Sequence, residues 1–419
     1  MRHHGFASRI FAATSALALV ATGLGSTGAA AQDRPADLTA LPPVPTDYQP
    51  PKTAWGDPNI SATYQIEFLN NARILFQRPR EYGNRVWIND EEHALRLAAA
   101  ERSDGNFAQA SERGIGTSGT QGLAEWVRTS SFGKRTSMLV SPADGQLPAL
   151  TAEGDRLYKA GRSGWVPAQH YDWVTDFDSW DRCVSRGFPA SMYPFRYNNG
   201  IRVFQAPGYV VLYLEMLGTR VIPLGNQPHW GAPVEAWMGN SVGHWEGNTL
   251  VIETTNIISG DSATYDMYKR SASPLNMATQ LVPPFNTIPM SNQARTVERL
   301  TMTGPNALVH ELTYSDPEVF TAPWTTRLEW IRDDTYEMFE YACHEGNDAI
   351  RGYIQSSKAH RAGIAAGTDQ EEGDADGRAR FAQPFDRDPA LGPPPGAPGA
   401  PPAAAPPAAA PPARSGGGR

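Results

Sequence analysis

The chain has 419 residues, of which 40% are hydrophobic, 19% charged and 10% aromatic, with a formal net charge of −8. Acidic residues outnumber basic ones, 44 to 36, so the basic footprint of a nucleic-acid binder is missing. No internal run reaches the roughly 18 consecutive apolar residues of a spanning helix, which argues against a membrane-spanning protein.

The N-terminus reads as a secretory signal. Arg2, His3, His4 and Arg9 form a weakly basic start, Ile10 to Leu24 is apolar, and Ala29-Ala30-Ala31 precedes Gln32 with the small side chains a signal peptidase requires. The alternative is an uncleaved anchor. No Cys follows the apolar stretch, which argues against a lipoprotein. Residues 1–31 are thus expected to be a signal peptide and the mature chain periplasmic or secreted. Residues 32–75 follow as a Pro-rich arm with Pro35, Pro42, Pro43, Pro45, Pro50 and Pro51, each removing a donor and fixing φ.

Residues 76–364 are expected to form one domain. Asn89 is placed to cap a short helix, with Glu92 three residues on and Ala94, Leu95, Leu97 and Ala98 on one stripe. Thr151 to Lys159 suggests a second. Arg135–Val140 is read as a strand, and from Ile201 onward the pattern has period two. The strands predicted there are Ile201–Gln205, Tyr209–Glu215, Thr219–Leu224, Thr249–Thr255, Ala294–Thr303, Ala307–Ser315, Thr325–Arg332 and Thr335–Cys343. The fold class is mainly β: an antiparallel array of about eight strands that must close into a barrel or pair as a sandwich to protect its edges. A barrel of that size is filled by its side chains or holds one small ligand. Residues 365–419, acidic over Gln370–Asp376 and nearly pure Pro, Ala and Gly from Gly392 to Gly418, are expected to be a disordered tail.

The only cysteines are Cys183 and Cys343. In an oxidising compartment they invite a disulfide, closing a loop for which chain entropy predicts roughly 4–5 kcal/mol. The alternative is two buried thiols. Neither lies in a CxxC context, so redox catalysis is not expected.

Several segments resemble a widespread, uncharacterised family of exported bacterial proteins. Gln77-Arg78-Pro79-Arg80-Glu81-Tyr82-Gly83 is similar to its ERPxEFG opening, and Ser141-Pro142-Ala143-Asp144-Gly145 to its DPPDGRIP turn. Asp181-Arg182-Cys183 with Gly187-Phe188-Pro189 matches DRCxxxGxP. Trp245 to Thr254 matches WEGDTLVVET with Asn248 for Asp, and Asp316-Pro317 with Pro323-Trp324-Thr325 matches DPxxxxxPWT. Tyr341-Ala342-Cys343-His344-Glu345-Gly346-Asn347 reproduces YACHEGN in full. The resemblance covers Phe76 to Asn347 and implies a lipocalin-like barrel without an assigned activity. The chain departs from the family at Gly239–Trp245 and Ile222–His229. Charges common in those loops are lost there, which implies a site retuned toward a less polar ligand.

Candidate functional residues follow from chemistry and position. His344 and Glu345 offer an acid/base pair near a loop, against a reading in which Glu345 and Asn347 merely terminate a strand. His310 shares a strand face with Leu308, Leu312 and Tyr314; it is either a satisfied core histidine or an acid/base group meeting a ligand. His229, Trp230, Trp237, His244, Trp324 and Tyr314 are the candidate ligand-binding residues, because aromatic side chains line small-molecule pockets as well as cores. His229, His244 and His170 lack the short spacing of paired metal ligands, so no metal is expected. GxSxG, GxGxxG, Walker and HExxH signatures are missing, and no cofactor is implied. Glu253 is expected to pair with an Arg such as Arg299 on the next strand. The partner expected is a small hydrophobic or aromatic molecule. The alternatives are a cofactor-independent lyase, isomerase or hydrolase using the same pocket, and an envelope interaction protein working through its tail and outer loops.

Overall fold

The computed structural model describes residues 34–66, 74–112, 123–162, 169–195, 198–261, 273–275, 287–370 and 386–392. The expected signal peptide, the Pro/Ala/Gly tail beyond 392 and all but the first residue of the acidic run lie outside the described residues.

Ten strands form: β1 Ala62–Gln65, β2 Leu139–Ser141, β3 Gly200–Ala206, β4 Tyr209–Leu214, β5 Gly218–Pro223, β6 Asn240–Glu246, β7 Thr249–Thr255, β8 Arg295–Gly304, β9 Ala307–Ser315 and β10 Trp324–Arg332. Nine of them run round a nearly closed barrel in the order β5-β4-β3-β1-β10-β9-β8-β7-β6, while β2 pairs with β10 off that path. Every hydrogen-bonded neighbour on the path is antiparallel. A closed ring with an odd number of staves cannot alternate everywhere, so one junction must be parallel. It falls between β5 and β6, joined by the crossover 224–239, because a parallel step cannot be made by a tight turn. The contact there is a single bridge, Leu224 to Gly243, with the Gly225 amide donating to the Gly243 carbonyl at 2.9 Å. Gly243 permits this approach: a Cβ would stand 3.0 Å from the Ile222 Cγ2 and 3.1 Å from a Leu224 methyl.

Alternate residues fill the cylinder. Register aligns Trp324 with Tyr314, Leu328 with His310 and Trp330 with Leu308 across β10 and β9, and Leu300 with His310 across β8 and β9. All of these are buried. On the opposite wall Ile201, Val203, Val210, Leu212 and Ile222 do the same. Burial of such rows drives the closure, at about 1.5–3 kcal/mol for each large apolar side chain.

Four α-helices lie outside the barrel. α1 (Asp90–Glu112) starts as the sequence predicts: the Glu92 amide donates to the Asn89 side chain at 2.8 Å, and the Asn89 amide donates back to Glu92 at 2.8 Å. It continues much further than the short helix expected. α2 (Leu123–Thr129) packs beside it. α3 (Ala152–Ala160) is capped by Thr151, whose hydroxyl accepts the Gly154 amide. α4 (Ala349–Ala366) was not foreseen, and none of its residues is buried. Residues 386–392, inside the stretch expected to be disordered, pack on α1: Asp388 is buried, pairing with Arg96 at 2.7 Å and accepting from the Tyr82 hydroxyl at 2.8 Å.

Most predicted strands are present, and the exceptions have physical reasons. Thr335–Cys343 forms no strand. The flank of β10 is already taken by β1, so no edge is left to extend. The chain instead turns at Asp333 and is held by Glu215, which accepts from the Tyr336 hydroxyl at 2.7 Å and the Phe339 amide at 2.9 Å. Of Arg135–Val140 only the end forms a strand, as β2, while Arg135 makes an isolated bridge to Trp87. Two staves are not evident in the sequence: β1, four residues inside the Pro-rich arm, and β6, whose Gly243 weakens its strand signal. Glu253 pairs with Arg295 at 2.8 Å, while Arg299 takes Glu246 at 2.8 Å, because register sets Arg299 opposite Val251.

Cys183 and Cys343 are disulfide-bonded, with Cα atoms 5.6 Å apart. The bond ties the segment before β3 to the chain between β10 and α4. Replacing both cysteines by serine is expected to cost about 2–5 kcal/mol in denaturant unfolding, with the barrel's circular dichroism retained. Gly243→Val is expected to cost about 1–3 kcal/mol by overpacking the parallel seam. Hydrogen exchange at the Gly225 amide should quicken selectively in that variant.

Candidate functional site

The barrel interior carries one charged cluster. Arg220 on β5, Glu298 on β8 and His310 on β9 all face inward and have side chains at most 1% exposed. Arg220 donates through Nη1 to Glu298 Oε1 at 2.9 Å and through Nη2 to Oε2 at 2.5 Å, a fork-to-fork pair. Nη2 also reaches the hydroxyls of Ser241 on β6 at 3.0 Å and Thr254 on β7 at 3.1 Å. His310 Nε2 lies 2.9 Å from Glu298 Oε1, and its ring is 4.8 Å from that of Trp330.

Position explains the cluster's first role. Arg220 links β5 to β6, β7 and β8 from inside, across the seam that the backbone closes with one bridge. Burial alone would raise the Glu298 carboxyl, but the Arg220 charge and the His310 contact outweigh it and hold the group at about 2. Not every polar atom is used by this suture. Arg220 Nε, His310 Nδ1, Thr296 Oγ1 and the indole nitrogens of Trp324 and Trp330 are sealed in the interior with no partner.

The end of the barrel at which β3, β5, β6, β8 and β10 begin is closed by the residues preceding β3. Phe188, Met192 and Tyr193 are buried there in the barrel's core cluster. The Arg220 guanidinium lies over the Phe188 ring at 4.4 Å, its Nη1 is 3.6 Å from the Met192 sulfur, and the Tyr193 hydroxyl accepts from Thr326 at 3.3 Å. An aromatic cluster continues from this plug. Tyr314 and Trp324 stack at 4.9 Å, and Phe76 meets Trp324 and Tyr193 edge-on at 5.6 and 5.5 Å. Burial and the neighbouring Asp316 carboxylate drive the Tyr314 hydroxyl well above its ordinary range.

The residues singled out from sequence are distributed over three places. His310, Tyr314 and Trp324 line the interior. His229 and Trp230 sit on the crossover, where the Asn240 side chain accepts from the Trp230 amide and contacts His229 Nδ1, both at 3.0 Å. Trp230 is half exposed there and Trp237 half-buried. His244 lies on the outer surface against Glu246 at 3.2 Å. His344 and Glu345 occupy an exposed turn before α4, so they share no site with His310. Asn347 donates to the Asp181 carbonyl and the Cys183 sulfur, bracing the disulfide.

Sequence reasoning missed Arg220, Glu298, Ser241 and Thr254. The signal was available for Glu298, which shares the inward parity of Leu300 and Met302 on β8, for Thr254, which shares that of Leu250 and Ile252 on β7, and for Arg220, which shares that of Ile222 on β5. For Ser241 it was not, because the sequence pattern does not mark β6 as a strand. Among the described residues no group of three His, Cys, Asp or Glu side chains could hold a metal ion, and no helix is long and apolar enough to cross a membrane. No family model matches the chain, and no curated protein or solved structure is significantly similar to it.

Arg220→Met alone leaves a buried carboxylate without its cation and is expected to cost about 3–5 kcal/mol. Adding Glu298→Met should restore most of that loss. Because Glu298 is held below its ordinary value, its contribution is complete above pH 4.5 and fades as pH falls toward about 2. Urea unfolding between pH 2 and 6 should show this acid loss in the wild type and not in the double variant.

Proposed function

We propose that the barrel binds a small hydrophobic or aromatic molecule in its interior, beside His310 and Arg220. The observation that carries this reading is the unused hydrogen-bonding capacity of His310. An unpaired buried polar atom costs about 1–3 kcal/mol, and the seam needs only Arg220, Ser241, Thr254 and Glu298. His310 Nδ1 is then a polar group held ready beside Leu300, Leu328 and the Trp330 ring, the mostly apolar composition of a small-molecule site. Glu298 orients the imidazole through Nε2, so Nδ1 is the atom that would meet a ligand. This orientation also favours a second reading, an acid/base catalyst without cofactor, in which Nδ1 moves the substrate's proton.

The family resemblance enters as a further part of the proposal. Together with the disulfide, which persists in oxidising compartments, it supports an exported protein of the periplasm or the medium.

A thermal-shift panel of small aromatic and aliphatic alcohols, aldehydes and acids tests the binding reading on wild type and His310→Leu. At least one aromatic compound is expected to raise the wild-type melting temperature by several degrees and leave the variant unmoved. The variant itself should stay within about 1.5 kcal/mol of wild type, since Arg220 still pairs Glu298. Equal shifts in both proteins, or none in either, would refute the role given to His310. Turnover of the bound compound would distinguish the catalyst.

A further inference from the structure

The mouth-closing plug has features beyond filling space. Its backbone hydrogen bonds are local. The Val184 and Ser185 amides return to Ser179, the Ser191 amide to Gly187, Met192 to Pro189 and Tyr193 to Ala190. Side chains repeat the pattern: Ser191 Oγ donates to the Gly187 carbonyl and Arg186 to the Tyr193 carbonyl. The described residues 184–193 make no backbone hydrogen bond to a barrel strand. Among their polar links to the barrel wall are the weak contacts of Met192 with Arg220 and of Tyr193 with Thr326. The plug's backbone is therefore folded on itself, and Phe188, Met192 and Tyr193 pack it into the barrel's core cluster. It is anchored at its two ends, by the Cys183 disulfide and by β3. Gly187, at φ +81, supplies a backbone bend that other residues rarely adopt.

What the plug places inside is equally specific. Glu298, Ser241 and Thr254 take the edge of the Arg220 guanidinium, leaving its flat face, and Phe188 covers that face at 4.4 Å. With the ring withdrawn, the exposed surface would be the flat face of a cation paired with Glu298, the carboxylate that also holds His310. The ligand that fits is a flat aromatic ring, which a guanidinium face attracts and a saturated ring does not. One hydroxyl or carbonyl on it would meet the imidazole. The ligand should be uncharged, because guanidinium and carboxylate already balance and an added anion would face Glu298.

Resting on the binding reading above, we propose that Phe188 is a built-in surrogate for the ligand's ring. A phenol-like molecule enters by displacing the plug and takes the place of Phe188 on Arg220. The plug thus sets both the selectivity and the apparent affinity of the site, since binding must first pay for its displacement.

The test compares phenol with cyclohexanol, nearly equal in size and differing in the π-face, by titration calorimetry on the full chain. In Phe188→Ala, phenol should bind at least tenfold more tightly than to wild type and at least tenfold more tightly than cyclohexanol. Carbon-13 labelling of the methionine methyls adds a direct reporter. Phenol should shift the Met192 resonance in wild type, since the plug moves with the ring. Where alanine unfolds the protein, Phe188→Leu keeps the apolar bulk without the ring and should still tighten phenol at least threefold. If the variant binds phenol and cyclohexanol alike, it has only gained a cavity, and the surrogate is refuted. If wild type binds an aromatic compound through His310 while Phe188 variants change neither affinity nor selectivity, the surrogate fails and the binding reading stands. If cooperatively folded wild type and variants bind none of the compounds, both fail.

Discussion

A charge pair inside a cylinder is costly unless its charges are paired and hydrogen-bonded, and this barrel's architecture turns on pairing Arg220 with Glu298. Arg220 spends its guanidinium edge on Glu298, Ser241 and Thr254, drawn from three successive strands on the far side of the parallel seam. The odd number of staves makes one imperfect junction unavoidable, and the backbone supplies only one bridge there. The interior ion pair compensates from within. Buried ion pairs are often weaker stabilisers than apolar packing of the same volume. Here the pair also fixes which strands meet, which apolar contacts alone would specify poorly.

That arrangement separates structural from spare chemistry. The carboxylate of Glu298 is consumed by Arg220 and by His310 Nε2, whereas the other ring nitrogen of His310 has no protein partner. The same imidazole is thus held in orientation by one atom and available through the other. Around it stand the buried Leu300, Leu328 and Trp330, where electrostatic and hydrogen-bonding preferences are stronger than in water. The plug brings Phe188 and Met192 against Arg220, and the ligand proposed for this interior would have to displace that contact.

The outer layers serve the same end by indirect routes. The disulfide and Asn347 secure the start of the plug, and Glu215 holds the chain that follows β10. On the outer face of β10, Arg135 is buried beneath the segment that Arg96 of α1 grips through the Gly133 and Arg135 carbonyls. Burial, with Arg327 nearby, pushes the Arg135 guanidinium down to about 9. This buried cation belongs to the covering layer and does not face the interior.

Local pattern by itself determined β3 to β5 and β7 to β10, the capping box at Asn89 and Glu92, the short helix beginning near Thr151 and the pairing of the only two cysteines. Each depends on short-range spacing or on having no alternative partner. It also placed His310 on an inward face, since parity along a strand is a local property. Only the tertiary structure decided the rest. That β1 lies between β3 and β10 is a long-range pairing of four residues, too short to carry a period. That closure leaves no edge for Thr335–Cys343 depends on the whole ring. That His344 and Glu345 stand in solvent while Arg220 and Glu298 meet His310 depends on chain segments 78 residues apart being brought together by the barrel's curvature. Sequence spacing encodes which face a side chain takes; it does not encode what stands across the interior from it.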